Sequence, residues 1–266
     1  MNISDYFIED NNSVFFEEAQ ASRFAKSVAG DFNPIHDPGS KRFCVPGDLL
    51  FSVVLGRYGV SEKTCLEFSG MLDGKTRMHL PLEASDVMSI VDDRDKELMN
   101  VQRSGERITD AHFISMLCEE YVKFSGQTFP DILVPLMRSA NAMINPARPL
   151  VIYKDMAIHF NRKAFTLFDS ESSQAKSVQA GNAVEPIFDG QDRPTVNLRL
   201  KSGDHQIAVD GRKGSVKLAF TIECANTEIG SGVKNMLLSG LREYEDDAMM
   251  EIVAQYNQWR TDYSPN

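Results

Sequence analysis

The sequence predicts an α+β protein in which a buried helix followed by an antiparallel sheet occurs twice in tandem. Two observations lead to this fold class. Apolar residues recur at helical spacing in several segments, and period-two alternation marks the runs between those segments. The order of helix then strands occurs once before residue 110 and again after it, so we expect an N-terminal domain over residues 1–110 and a C-terminal domain over residues 111–266.

The first copy begins with an amphipathic helix over residues 17–30, which Gly30 is suited to end. The next helix starts at Gly47 and runs through DLLFSVVL, which is apolar on nearly every face, so we expect it to be buried. Short alternating runs follow over residues 65–103, and the polar DRDK within them predicts a hairpin turn.

The second copy repeats that order. Residues 113–126 predict a helix, and residues 131–144 resemble the first buried helix, with Pro135 near the start or at a kink. Three further runs predict strands with one wet face, at residues 150–160, 194–200 and 215–225. The polar stretch at 170–194 predicts a flexible loop. A helix over residues 243–259 is expected to pack across the body as a brace.

Composition and charge narrow the function classes. The 266 residues carry a formal net charge of −10, which disfavours nucleic acid or an anionic membrane surface as a partner, because either needs a concentrated basic face. The four cysteines are far apart, so we expect reduced thiols rather than a disulfide framework or a zinc site. No apolar run reaches the roughly 20 residues of a bilayer span, and the N-terminus lacks a signal pattern. A cytoplasmic protein without a membrane span is therefore expected.

The stretch GDFNPIHDPGSKRFCVPGDLLF, residues 30–51, is the most informative part of the chain. Asp31 and His36 are five residues apart and cannot share a helical face, but a turn at Asn33-Pro34 could aim both at one water molecule. Gly47 opens the buried helix with an N–H that no helical carbonyl accepts, at the positive end of the helix dipole. Spacing alone also fits Asx turns that end a helix, with the histidine capping a carbonyl.

GDFNPIH resembles the D-x-N-P-[LIV]-H motif of the MaoC-like, or hydratase 2, enoyl-CoA hydratases, whose buried helix also follows a glycine. The resemblance implies a tandem (double) hot-dog fold and hydration of trans-2-enoyl thioesters to (R)-3-hydroxyacyl thioesters. It implies that Asp31 and His36 are the catalytic acid–base pair, that Asn33 orients them and that the Gly47 N–H binds the thioester oxygen. The string RFCVPGDLLF is also similar to a bacterial family of unknown function with the hot-dog architecture.

Two local features leave alternatives open. Pro46-Gly47-Asp48 stands where the hydratases have His-Gly-Met, so Asp48 is either a first-turn acid that the helix dipole stabilises or a charge that opposes the developing oxyanion. Lys41 and Arg42 are candidate substrate-binding residues for the phosphates of a CoA-type carrier, or an exposed surface pair. The expected ligand is an acyl-CoA or acyl-carrier thioester, and no metal or redox cofactor is expected.

Three functions are compatible with these residues. The first is the hydro-lyase, the second is a non-catalytic acyl-thioester or lipid-binding module, and the third is a thioesterase in which Asp48 would direct water at the carbonyl. The second half lacks a D-x-N-P-x-H motif, so we expect it to supply pocket wall, with Asn141, Asn145 and Arg148 as candidates. One active site per chain follows, in a monomer or a homodimer.

Overall fold

The computed structural model describes residues 2–145, 150–168, 196–200 and 205–263, with backbone alone at residues 127 and 196–200. The strands are β1 (Ile8–Asp10), β2 (Ser13–Phe15), β3 (Val60–Phe68), β4 (Met78–His79), β5 (Val87–Asp92), β6 (Glu97–Ile108), β7 (Ala142–Met143), β8 (Leu150–Phe160), β9 (Val196–Leu200), β10 (Gln206–Asp210), β11 (Lys213–Cys224), β12 (Thr227–Ser239) and β13 (Arg242–Glu243). The helices are α1 (Glu18–Arg23), α2 (Gly47–Tyr58), α3 (Ala111–Asp131), α4 (Leu133–Ser139), α5 (Arg162–Phe168) and α6 (Asp246–Tyr263). The predicted loop at 170–194 lies outside the described residues.

One large antiparallel sheet carries the fold. Its strand order is β1-β2-β4-β5-β6-β3-β8-β12-β11-β10, and β9 pairs with β11 as well. The two sequence halves meet where β3 pairs with β8, from Lys63 opposite His159 to Glu67 opposite Asp155. The α+β hot-dog architecture that the sequence predicts is therefore present, with the strands of both halves in one sheet. The division into domains at residues 110 and 111 stays a prediction.

Helix α2 is the buried helix of the first half, as its composition predicts. Leu49, Phe51 and Leu55 are fully buried in the main core. Its neighbour is α3, because Tyr121 of α3 packs its ring against Phe51 with 4.6 Å between centroids. Burial of this apolar surface in one core is the main force that holds the helices to the sheet.

The helix predicted over residues 131–144 is present only in part, and it is buried on one face rather than on nearly every face. Only Leu133–Ser139 is helical there, with Pro135 at the third position, where its missing N–H costs no helical hydrogen bond. Asn141 then adopts a positive φ of 49°, and the chain continues into β7. The longer α3, which carries more apolar residues, takes the place beside α2.

Helix α6 is the C-terminal helix that the sequence predicts. Tyr256 and Trp259 place their rings 5.2 and 5.8 Å from the ring of Phe32, which lies in the motif segment. The Tyr256 hydroxyl also lies 2.5 Å from the carbonyl oxygen of Gly30 and 2.7 Å from that of Gly126. The helix thus fastens the motif segment to α3.

None of the helices in the described part of the chain combines the length and the apolar character that crossing a bilayer requires.

Candidate functional site

A cavity of about 500 Å³ opens between the motif segment, the start of α2 and α6. Its wall is mostly apolar, with a few polar side chains that converge on it: Asp31, Asn33, His36, Asp48, Ser125 and Lys234. Gly47 also lines it. A concave apolar site with few polar groups is the usual form of a small-molecule site. Four of the six predicted site residues are therefore brought together, whereas Lys41 and Arg42 are exposed and lie outside the lining.

Short-range hydrogen bonds shape the motif segment. A π-helical segment, Phe24–Ala29, continues α1, and Gly30 ends it in the left-handed region, with φ of 61°, where a glycine has no steric penalty. Asp31 accepts the N–H of Asn33 at 2.9 Å, and Asn33 accepts the N–H of Ile35 at 3.3 Å. A 3-10 turn over Pro34–His36 follows. The Asx turns offered as the alternative interpretation are thus formed, and they bring the two predicted catalytic side chains together.

The Asp31 and His36 side chains face each other at the cavity. Oδ2 of Asp31 lies 3.4 Å from Nε2 of His36, and Nδ1 of His36 lies 2.7 Å from the carbonyl oxygen of Cys44. A carbonyl only accepts, so Nδ1 carries a hydrogen and Nε2 is the nitrogen that faces the carboxylate. The His36 side chain is 7% exposed and that of Asp31 is 39% exposed, so the carboxylate is the more open partner.

Each member of the pair changes the acidity of the other. Burial on its own lowers the pKa of His36, but the hydrogen bond and charge of Asp31 outweigh it, so the pKa of His36 is raised above its ordinary value. Burial likewise opposes charge on Asp31, but the hydrogen bond and charge of His36 hold its pKa below the ordinary value. The pair therefore favours the charged form of both groups.

Gly47 begins α2 directly after Pro46 and lies against an aromatic ring. A Cβ added at Gly47 would lie 2.6 Å from Cδ1 of Tyr153, closer than atoms approach without a shift. The N–H groups of the first helical turn lack helical acceptors, and Gly47 presents that turn to the cavity. Only a residue without a side chain fits between this turn and the tyrosine.

A buried ion pair adjoins Gly47, and sequence reasoning missed its partners. Asp48 accepts a hydrogen bond from Nζ of Lys234 at 3.2 Å through Oδ1, and from Oγ of Ser125 at 2.6 Å through Oδ2. Nζ of Lys234 also donates to Oγ of Ser125 at 2.5 Å. Asp48 and Lys234 are both under a tenth exposed. The negative charge of Asp48 is thus compensated, which neither of the two sequence alternatives anticipated.

One sequence signal could have found Lys234. In β12 the inward positions alternate through Gly232, Lys234, Met236 and Leu238, so a lysine takes the place of an apolar residue on a buried face. Ser125 sits mid-helix in α3 and carries no comparable signal.

Tyr153 lines the cavity beside this ion pair, and the fully buried Tyr121 contacts it. The hydroxyls of Tyr121 and Tyr153 lie 2.5 Å apart, and Nζ of Lys234 lies 4.2 Å from the ring centroid of Tyr153. Burial raises the pKa of both phenols well above the ordinary value, so both stay neutral.

Asn33 also connects the motif segment to the sheet. Its Nδ2 donates to the carbonyl of Val151 in β8 at 3.4 Å.

The remaining candidates contribute little to the cavity. Asn141 and Asn145 lie outside its lining, and Arg148 is not among the described residues. Cys44 lines the cavity, but burial raises the pKa of its thiol to about 12, so it is not a thiolate nucleophile at neutral pH. Within the described ranges, no three His, Cys, Asp or Glu side chains group so as to hold a metal ion.

Comparison with known proteins gives a family match over most of the chain. A family model described as "Protein of unknown function (DUF3581)" matches residues 1–185 and 187–247. No curated protein matches the chain.

Solved structures of similar shape have low identity. A MaoC-like dehydratase is 8% identical, with 90% of this chain and 98% of that chain covered and a TM-score of 0.36. An acyl-CoA thioesterase II TesB2 from Mycobacterium marinum is 8% identical, with 90% and 96% covered and a TM-score of 0.38. A tesB protein of Mycobacterium avium subs paratuberculosis is 9% identical, with 75% and 89% covered and a TM-score of 0.34. Likeness at this level assigns no activity to the chain.

Proposed function

The chain belongs to the DUF3581 family of proteins of unknown function, and from its site we propose that it is an acyl-thioester hydro-lyase, which adds water to a 2-enoyl thioester or removes it. The observation that carries the proposal is the Asp31–His36 pair, 3.4 Å apart, on the same apolar cavity as Gly47. Hydration needs a group that takes a proton from water, a group that returns one to the α-carbon and a donor for the thioester oxygen.

The pair suits the first two tasks. Above the raised pKa of His36 its ring is neutral, and with Nδ1–H bonded to the Cys44 carbonyl this neutral form keeps a lone pair on Nε2. A water between Nε2 and Oδ2 of Asp31 donates a hydrogen to each, so its oxygen lone pairs face the cavity. As this oxygen bonds to the β-carbon, its proton passes to Nε2, and the carboxylate stabilises the imidazolium. A proton from the pair then goes to the α-carbon. Asn33 orients Asp31 through its N–H.

The start of α2 suits the third task. The substrate double bond shifts its electrons toward the thioester carbonyl as water adds, so negative charge develops on that oxygen. The Gly47 N–H and the helix dipole favour charge at this position. Asp48 does not oppose it as a free anion, because Lys234 compensates its charge at 3.2 Å.

The apolar part of the cavity provides room for an acyl chain, and Phe68, Leu50 and Met236 belong to its wall. The carrier moiety then extends to solvent. Contacts of its phosphates with Lys41 and Arg42, which are both exposed, stay a prediction. A thioesterase is the less favoured alternative, because both carboxylate oxygens of Asp48 already accept hydrogen bonds.

The test is loss of the conjugated-thioester absorbance when purified protein meets a panel of short and medium trans-2-enoyl-CoAs. We expect turnover by the wild type, with Asp31→Asn and His36→Ala each slower by about 10²–10⁴-fold. Matched controls are Asp37→Asn, which changes a neighbouring carboxylate paired with Lys26, and His79→Ala, which changes an exposed histidine. Both controls are expected to keep wild-type rates.

The other outcomes have defined meanings. Tight binding of acyl-CoA without turnover of any enoyl-CoA would reject hydration in favour of the binding module. Release of free CoA thiol from saturated acyl-CoA would reject it in favour of a thioesterase.

A further inference from the structure

Lys234 is, among the described residues that line the cavity, the single lysine or arginine. We infer that its ammonium stabilises the negative charge that develops on the thioester oxygen, and that Asp48 and Ser125 are positioning residues that hold it there. This inference rests on the proposed function and adds a catalytic residue to it. The sequence pattern that suggests the acid–base pair gives no hint of it, because Lys234 lies in β12, far along the chain.

Lys234 lies at the same end of α2 as the Gly47 N–H. Its Nζ bonds Asp48, which is the next residue after Gly47. Tyr153 connects the two from the other side, since its ring contacts the Gly47 backbone and has its centroid 4.2 Å from Nζ. Gly47 and Lys234 thus both line the cavity at this end of α2.

The ammonium has a donor to spare. Lys234 carries three N–H groups, of which one goes to Asp48 and one to Ser125. Across the ranges that the structure describes, the third has no nitrogen or oxygen acceptor, and the ammonium also lies 4.2 Å from the ring centroid of Tyr153. Fixed partners on two sides hold Nζ at the cavity wall, so a substrate oxygen meets an oriented donor with little reorganisation.

Electrostatics link this cluster to the acid–base pair. The charge of Lys234 contributes to the lowered pKa of Asp31, and the charge of Asp48 contributes to the raised pKa of His36. The Lys234 cluster and the acid–base pair thus act on the same cavity. In the reaction the oxygen of water bonds to the β-carbon, the double-bond electrons form an enolate whose oxygen faces Nζ, and protonation at the α-carbon returns them. Lys234 acts in this step as a charge and a hydrogen-bond donor, and the acid–base pair carries the protons.

A ketoacyl thioester tests this role without requiring turnover. Acetoacetyl-CoA ionises to an enolate with its own near-ultraviolet absorbance, and a cation at the thioester oxygen favours that form. We expect the wild type to raise the enolate-to-keto ratio at fixed pH by about tenfold or more, one pKa unit, on binding. The double variant D48N/K234M, which leaves no unpaired charge, is expected to bind acetoacetyl-CoA without this rise. K217M, which changes an exposed lysine of neighbouring β11, is the matched control and should behave as wild type.

With enoyl-CoA, the same double variant is expected to lose about 10²–10³-fold in kcat with little change in KM. If it does not fold, Ser125→Ala keeps both charges, frees Nζ from one of its two partners and is expected to lower the bound enolate ratio about threefold or more.

The possible results separate the two proposals. An enolate rise that depends on Lys234, in a protein that hydrates no enoyl-CoA, would support the role of Lys234 and reject hydration. Hydration by a wild type whose enolate rise persists in D48N/K234M, or that shows no rise at all, would reject the role of Lys234.

Discussion

Replacing Lys234 by Met removes the cation that faces the buried carboxylate of Asp48. The two charges lie 3.2 Å apart, which at an effective dielectric constant of 20 corresponds to about 5 kcal/mol of attraction. Breaking a buried pair by removal of one partner costs about 3–5 kcal/mol, because the remaining charge stays in a low-dielectric setting. We therefore expect K234M to lower the free energy of unfolding by about 3–5 kcal/mol, and D48N/K234M by about 1 kcal/mol or less.

Urea denaturation followed by circular dichroism and by Trp259 fluorescence measures these values at equilibrium, and coincident transitions license the two-state analysis. R107M is the control, because Arg107 and Asp86 form an ion pair of similar length, 3.0 Å, on the surface. Exposed pairs of this kind contribute up to about 1 kcal/mol. A cost for K234M no greater than that of R107M would refute the assignment of a buried, energetically coupled pair.

Three further predictions follow from the site. Gly47→Ala places a Cβ 2.6 Å from a buried aromatic ring and is expected to cost about 1–3 kcal/mol in urea denaturation, whereas Gly56→Ala in the same helix meets open space and should stabilise by about 0.5–1 kcal/mol. The raised pKa of His36 should fall in Asp31→Asn, and NMR titration of the His36 ring measures this change. In the folded protein the pKa of His36 is raised and that of Asp31 is lowered, so the pair is charged between about pH 4 and 6.5. The free energy of unfolding lost in H36A should therefore be largest in this range and shrink as pH rises through the His36 pKa. Tyr256→Phe removes a hydroxyl that hydrogen-bonds to the carbonyls of Gly30 and Gly126, and it should lower the free energy of unfolding by about 1–2 kcal/mol. Because Gly30 directly precedes Asp31, we also expect a larger fold-change in kcat than in KM. Equal fold-changes in the two constants would contradict a positioning role.

The features that the sequence predicts correctly are those decided within a few residues. The apolar run after Gly47 fixes α2, and Asn33 and Pro34 fix the turn that joins Asp31 to His36, because caps and turns depend on neighbours in the chain. These local rules also bring the Asp31 and His36 side chains together, and their role as an acid–base pair stays a prediction.

The features that the sequence does not predict depend on packing between distant segments. Lys234 and Ser125 lie 186 and 77 residues from Asp48, and no spacing rule connects them. Likewise, residues 131–144 have the composition of a buried helix, but α3 occupies the position beside α2. Intrinsic preference is a weak prior that tertiary contacts override. Lys41 and Arg42 illustrate the same limit. The sequence shows that both are basic, but it does not show whether their loop turns them toward the cavity or toward solvent.

The pairing of Asp48 with Lys234 also bears on the order in which the chain folds during synthesis. The ribosome completes α2 long before it adds β12, because 186 residues separate Asp48 from Lys234. Until β12 joins β8, the Asp48 carboxylate lacks the Lys234 cation that offsets its desolvation, so enclosing the start of α2 in a core is unfavourable. We expect nascent chains that lack β12 to stay open around α2 and to need protection from aggregation, with closure of the cavity among the last steps of folding.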